Sequence, residues 1–176
     1  MMLETAWVGF KIIAGAMLLN VQIEGHPVSA IIDTGAAVSV VSPRLAAHFD
    51  LKQEQMATLH SDIGTHRTVL AGPLALDIGA KHFTLSRVVV VDLSLLSKTG
   101  EPVEFVLGQD VINASAVTID FDHEHIEFAP ATNLPLPQGF FEVPLRRDTQ
   151  SRYYTKFRIG DLPARRQLRW PVERRL

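Results

Sequence analysis

The sequence contains no cysteine, and several other features that would define a function class are also absent. Without a thiol, the chain cannot form a disulfide framework, a thiolate nucleophile or a Cys-ligated metal site. No Gly-x-Ser-x-Gly elbow supports a serine hydrolase. No Gly-x-x-x-x-Gly-Lys loop or Gly-x-Gly-x-x-Gly fingerprint supports nucleotide binding. The function therefore has to be sought in other chemistry.

Long apolar runs are absent too. The most apolar stretch, Ala6 to Leu19, is shorter than the roughly 20 residues that a membrane-spanning helix needs, so no membrane span is predicted. Glu4 and Lys11 weaken this stretch as an export signal. We interpret it as a strand pair that turns at Gly15. A cytoplasmic location is slightly favoured over export, although the sequence does not determine it.

Composition predicts a packed globular protein with an uneven charge distribution. Hydrophobic residues make up 47% of the 176 residues and charged residues 20%, so a core is expected and disorder is not. Met1 to Leu145 carries 7 Lys/Arg against 16 Asp/Glu, a net charge of −9, whereas Arg146 to Leu176 carries 10 against 3, a net charge of +7. We favour a solvated tail over a basic arm for an acidic partner. No nucleic-acid module is recognisable, so no nucleic-acid partner is expected.

Strand signals dominate the first 129 residues. Alternating or β-branched apolar segments predict strands, and Ser42-Pro43 predicts the start of a short helix that ends near Asp50. A second helical turn is expected over Gln109 to Ala114. The predicted strands are Met17 to Ile23, Val28 to Ile32, Ala37 to Val41, Met56 to His60, Arg67 to Leu70, Leu74 to Ile78, His82 to Leu85, Arg87 to Leu93, Phe105 to Leu107, Val117 to Phe121 and His125 to Phe128. The fold class is therefore all-β with one or two short helices.

A composition change follows Ala129, where three prolines within eight residues indicate a linker. We therefore expect one domain over residues 1–129 and a basic extension over residues 130–176.

The segment Ala30-Ile31-Ile32-Asp33-Thr34-Gly35-Ala36 places one carboxylate between an aliphatic run and a glycine. Asp commonly caps its own turn, so three residues alone are weak evidence for a site. The predicted strand before Asp33 nevertheless delivers its carboxylate to the end of an apolar element. Gly35 removes the side chain that would crowd a ligand or a second backbone.

This pattern resembles the active-site loop of the retropepsin-like aspartic proteases. Two further segments resemble parts of that family in the same order along the chain. Val106-Leu107-Gly108 is similar to the second signature, which packs beside the catalytic loop, and the predicted hairpin around Ile63 and Gly64 falls where the family has its substrate-covering flap. The resemblance implies a small closed β-barrel with a flap hairpin.

The resemblance also implies peptide-bond hydrolysis by a pair of aspartates that share a proton. This chain has a single Asp-Thr-Gly, so the second aspartate is expected from another copy, in a homodimer with Asp33 at its two-fold axis. By resemblance, Thr34 ties the two loops together, Gly35 permits close approach, and Ala36 lies near the substrate. Peptide or protein is the expected substrate, and no cofactor is expected. The alternative is an inactive binding or dimerisation module with the same fold.

One position departs from the viral members of the family. The residue after the second-signature glycine is often an arginine that braces the dimer in those enzymes, and here it is Gln109. The same ion pair cannot form, which leaves the stability of the dimer open.

The C-terminal segment from Phe157 to Leu168 resembles Val21 to Ile32, the segment that precedes Asp33 to Ala36, which we call the active loop. Ile159 aligns with Ile23 and Pro163 with Pro27, but Arg169-Trp170-Pro171 stands where Asp33-Thr34-Gly35 would be repeated. Two interpretations are open, the opening of a truncated second repeat and a chance match.

Histidines suggest two further sites, and for both we favour a simpler interpretation. His123-Glu124-His125 has a spacing that suits a metal, but it falls at a predicted hairpin tip where polar residues are expected, so no metal is predicted. His60 and His66 flank the predicted flap and would make it pH-sensitive, since histidine titrates near neutrality. We interpret them as surface residues.

Overall fold

The computed structural model describes residues 7–61, 64–96, 100, 102–130, 138–139, 141–147, 153–159 and 161–167. Fifteen strands and two short helices lie within these residues, so the prediction of an all-β fold is confirmed. No helix in this part of the chain is long and apolar enough to span a bilayer. The elements are β1 (Val8–Ile13), β2 (Ala16–Ile23), β3 (His26–Ile32), β4 (Val40–Val41), α1 (Pro43–His48), β5 (Gln53–Ser61), β6 (Gly64–Ala71), β7 (Leu74–Ile78), β8 (Lys81–Leu85), β9 (Val88–Val90), β10 (Phe105–Leu107), α2 (Gln109–Ile112), β11 (Ser115–Asp120), β12 (His125–Pro130), β13 (Arg146–Arg147), β14 (Tyr153–Ile159) and β15 (Leu162–Gln167).

Local sequence explains most of these boundaries. The turn between β1 and β2 has positive φ at Ala14 (49°) and Gly15 (82°), and the turn between β2 and β3 repeats this at Glu24 and Gly25. Positive φ at both central residues is typical of the two-residue turns that match the twist of a hairpin. At α1, the Ser42 hydroxyl accepts the Leu45 N–H at 3.0 Å, as an N-cap does.

Twelve strands form one sheet in the order β11-β12-β1-β2-β3-β10-β4-β9-β6-β5, with β7 and β8 branching from β2. Two of its pairings, β3 with β10 and β4 with β9, are parallel and join strands that are distant in sequence. Among the described residues this path has two free ends, so closure into a barrel stays a prediction.

The central strands are buried on both faces. Alternate residues of β2, β3 and β10 point into different hydrophobic clusters, because successive side chains of a strand face opposite sides. Leu18, Ile31 and Val106 join Leu93 and Val103 in the smaller cluster, and their strand neighbours enter the larger one. This double burial explains why β10 reads as an uninterrupted apolar run.

Three predicted elements are shorter in the structure. The strand expected over residues 37–41 comprises Val40–Val41 alone, because Ser39 and the residues before it form the return from the active loop. The strand expected over residues 87–93 is reduced to Val88–Val90, and α2 ends at Ile112 rather than Ala114. Ala37, Val38 and Arg87 are exposed, so the strands do not include them, whereas Leu93 is buried beyond the end of β9 without belonging to a strand.

A separate three-stranded sheet, β13-β14-β15, lies in the basic C-terminal segment. In the alignment that matches Ile159 to Ile23, its hairpin has the register of the β2/β3 hairpin. Arg158 pairs with Pro163 as Gln22 pairs with Pro27, and Tyr154 pairs with Gln167 as Leu18 pairs with Ile31. The shared register supports the interpretation as a repeat, which stays a prediction. The domain boundary after Ala129 also stays a prediction, since residues 131–137 lie outside the described part.

Candidate active site

Asp33 is the first residue after β3, at the end of the doubly buried part of the sheet. Its N–H donates to the Leu107 carbonyl at 3.0 Å, which continues the parallel pairing of β3 with β10 by one residue. The Asp33 side chain is half-buried. The apolar strand therefore holds the carboxylate at the edge of the core.

The turn after Asp33 closes on the carboxylate itself. The Gly35 N–H donates to Asp33 Oδ1 at 2.7 Å, and the Ala36 N–H donates to the Asp33 carbonyl at 3.1 Å. A Cβ atom on residue 35 would lie 2.9 Å from Asp33 Oδ1. Glycine therefore leaves room for the carboxylate in its observed position, and its φ is not in the left-handed region.

Gln109 binds the active loop through two hydrogen bonds. Its side-chain Nε2 donates to the Thr34 carbonyl at 2.8 Å, and its backbone N–H donates to the Ala36 carbonyl at 2.9 Å. Gln109 is 1% exposed and Thr34 is 6% exposed. Two carbonyls of the active loop are thus bound by one buried residue at the start of α2.

Gly108 lies where two backbones cross. A Cβ atom at this position would lie 2.6 Å from the Val38 carbonyl carbon and 2.8 Å from the Ser39 nitrogen. The Gly108 N–H donates to Ser39 Oγ at 3.0 Å, and Ser39 Oγ donates to Asp110 Oδ1 at 2.7 Å. Asp110 Oδ2 also accepts the Ser39 N–H at 3.0 Å. The second signature is therefore fastened to the segment that returns from the active loop.

The structure thus brings Asp33, Thr34, Gly35 and Ala36 next to Leu107 and Gly108, with Val106 paired to Ile31 one step away. The catalytic and structural roles given to these residues stay predictions.

The predicted flap is a strand hairpin. β5 and β6 pair from Gln53 with Ala71 to Ser61 with Gly64, so Gly64 is the first residue of β6. Ile63 lies outside the described residues. β6 pairs with β9 and β9 with β4, which connects the hairpin to the strand that follows the active loop. Its function as a substrate-covering flap stays a prediction.

At the tip between β11 and β12, His123 interacts with Asp120. Its Nδ1 lies 2.8 Å from Asp120 Oδ2, and Asp120 Oδ1 accepts the backbone N–H of Asp122 and of His123 at 3.0 Å each. The hydrogen bond and the charge of Asp120 raise the pKa of His123, and the hydrogen bond from His123 lowers the pKa of Asp120. No group of three or more metal-ligating side chains is present in the described part of the chain.

Sequence reasoning missed three residues around the loop. Ser39 and Asp110 form hydrogen bonds where the two backbones cross at Gly108. Arg147, which lies in the C-terminal sheet, donates to Gln109 Oε1 at a distance of 3.4 Å. The only sequence signal for Asp110 is weak: it is an acidic residue in the first turn of a predicted helix, where acidic residues are favourable. No sequence signal indicated Arg147, because its partner is 38 residues away. The side chains of His60 and His66 lie outside the described part.

Comparison with known proteins adds a family match. Residues 19–114, more than half of the chain, match the family model described as "gag-polyprotein putative aspartyl protease". The match includes the active loop, the hairpin and the second signature.

Individual relatives match different shares of the chain. DNA damage-inducible protein 1 of Candida glabrata is 46% identical over 37 residues, which are 21% of this chain and 9% of that protein. The chain therefore spans only a small part of that relative. A retropepsin-like aspartic protease from Rickettsia conorii is 20% identical, with a TM-score of 0.47 over 73% of this chain and 98% of that one. The EIAV protease in complex with an inhibitor is 21% identical, with a TM-score of 0.41 over 55% of this chain and 84% of that one.

Proposed function

Because the chain belongs to this family of aspartyl proteases, we propose that it is an aspartic endopeptidase whose catalytic dyad is formed by the Asp33 carboxylates of two copies. The observation that carries the proposal is the Asp33 loop. Its carboxylate is half-buried at the end of a core strand and accepts the Gly35 N–H, and the Gln109 side chain binds the neighbouring Thr34 carbonyl. A residue with only a turn-forming role does not need this support from a second, distant segment.

The homodimer follows from the chemistry. One carboxylate takes a proton from a water molecule, and the water oxygen attacks the carbonyl carbon of the peptide bond. The other carboxyl group is protonated and donates its hydrogen to the developing oxyanion. The tetrahedral intermediate then collapses, the C–N bond breaks, and the amine leaves with a proton from the dyad. These two protonation states require two aspartates, and each chain has one Asp-Thr-Gly.

An Asp33→Asn variant tests the mechanism. The Asn side-chain oxygen can still accept the Gly35 N–H, so the turn is retained while the general base is lost. We expect kcat/KM on a peptide library to fall by about 10³-fold or more, with an unchanged urea unfolding midpoint. Asp50→Asn removes the same charge at an exposed site where φ is 48°, a conformation that Asn tolerates, and should leave activity unchanged. Retained cleavage by Asp33→Asn would refute the mechanism.

The dimer has its own test. Specific activity should rise with protein concentration over the range in which sedimentation shows the 19.5 kDa chain pairing. Activity should also be highest below neutral pH, where the dyad keeps one proton. A chain that stays monomeric and inactive at all concentrations would instead favour the binding module. Activity that stays constant per chain in a strict monomer would exclude the shared dyad.

A further inference from the structure

The Gln109 side chain joins the active loop to the C-terminal sheet. Its Nε2 donates to the Thr34 carbonyl at 2.8 Å, and its Oε1 accepts from Arg147 Nη2 at 3.4 Å. Because Gln109 is almost fully buried, both ends of its amide need partners within the protein. One partner belongs to the active loop and the other to β13.

These two partners decide which way the amide points. The oxygen and nitrogen ends of an amide have nearly the same shape, so the neighbouring donors and acceptors select the orientation. In the reverse orientation, the Gln109 oxygen would face the Thr34 carbonyl oxygen and its NH₂ group would face the Arg147 cation. Both contacts would be repulsive. Arg147 therefore favours the orientation in which Gln109 donates to the active loop.

Arg147 is itself held by the C-terminal sheet. Its guanidinium carbon lies 5.3 Å from the ring centroid of Tyr153, its cross-strand neighbour on β14. The Tyr153 hydroxyl donates to Asn113 Oδ1 at 2.5 Å. Gln109 begins α2 and Asn113 caps its C-terminus, and residues four apart lie on one face of a helix. The sheet therefore contacts α2 at both ends of one face.

We propose that Arg147 is a positioning residue for the active loop, acting through Gln109, and that the C-terminal sheet thereby supports the Asp33 turn. This proposal rests on the proposed peptidase function for its catalytic consequence. Its structural consequence, a tighter active loop, is independent of catalysis.

The test compares Arg147→Met and Arg147→Lys with a matched control, Arg146→Met, which removes the same charge from the adjacent exposed position on the strand. Amide hydrogen exchange is measured without substrate at Gly35 and Ala36, with β2 amides as the internal reference. We expect exchange at both loop amides to be about tenfold faster in Arg147→Met. Arg147→Lys should partly restore protection because it keeps a cationic donor, and Arg146→Met should resemble the wild type.

Kinetics on a cleaved peptide separate a positioning role from a purely structural one. Arg147→Met should lower kcat about tenfold with little change in KM, because the substrate-binding surface is intact. In a double-mutant cycle with Gln109→Met, the second substitution should add little to the first, since Arg147 acts through Gln109. Wild-type exchange rates in Arg147→Met, or fully additive effects in the cycle, would overturn the proposal. If the wild type cleaves no peptide, the proposed function fails, but the exchange measurement still decides whether Arg147 supports the loop.

Discussion

Replacing Gly108 by alanine should destabilise the protein strongly, because the added methyl group meets backbone rather than movable side chains. The new Cβ would lie 2.6 Å from the Val38 carbonyl carbon and 2.8 Å from both the Val38 oxygen and the Ser39 nitrogen. Real Cβ atoms do not approach so closely, so β10 or the segment at Val38 must move. The φ of Gly108 is −95°, which alanine adopts freely, so the effect is steric alone.

The magnitude follows from two contributions. Overpacking of a filled site costs about 1–3 kcal/mol. Separation of the two backbones would also lengthen the hydrogen bond from the Gly108 N–H to Ser39 Oγ. Weakening this hydrogen bond lowers the free energy of unfolding by about 1 kcal/mol. A total of about 2–4 kcal/mol, with an m value of roughly 2 kcal/mol/M, lowers the urea midpoint by about 1–2 M.

Urea unfolding followed by circular dichroism measures this shift. The matched control is Gly9→Ala in β1, where an added Cβ meets nothing within 4 Å and the midpoint should not fall. A midpoint for Gly108→Ala within about 0.3 M of the wild-type value would refute the reasoning, since it would mean that the two backbones separate at almost no cost.

Two further predictions concern the active loop and the β11/β12 tip. Gly35→Ala places a Cβ 2.9 Å from Asp33 Oδ1, a side-chain atom that can rotate away. We therefore expect kcat/KM to fall at least about tenfold, while the urea midpoint changes little. A large midpoint shift with intact activity would contradict this. Asp120→Asn should lower the pKa of His123, measured by NMR titration, because it removes the hydrogen bond to a carboxylate and the negative charge that raise this pKa, whereas Asp122→Asn should lower it less. The raised pKa means that the contribution of His123 to stability is present below about pH 6.5, the unfolded value, and is lost as pH rises through the folded value. An unchanged His123 pKa in Asp120→Asn would show that the hydrogen bond does not form in solution.

Most of the local structure was predictable because it depends on neighbouring residues. The two-residue turns at Gly15 and Gly25, the Ser42 cap and the β7/β8 hairpin are set by conformational preferences and apolar alternation over a few residues. The boundaries that failed, at residues 37–41 and 87–93, belong to short strands whose pairing partners come from elsewhere in the chain.

The candidate site divides in the same way. A carboxylate between an aliphatic run and a glycine marks Asp33 as a candidate, and the resemblance relates it to Gly108. The Ser39–Asp110 contact and the clamp on Thr34 were not predictable, because these hydrogen bonds join residues 71 and 75 positions apart. From the sequence, Gln109 in place of an arginine only removes an ion pair, whereas the structure shows a buried amide with a guanidinium as its partner.

The sequence by itself thus determined an all-β chain, the turns that shape it and the position of its candidate catalytic carboxylate, since each depends on local preference and hydrophobic pattern. Only the tertiary structure decided what supports that carboxylate. The parallel pairing of β3 with β10 brings Leu107 and Gln109 beside the Asp33 loop, and the C-terminal sheet brings Arg147 to Gln109. The energy of such contacts depends on buried polar groups finding partners across the chain, which no local pattern encodes.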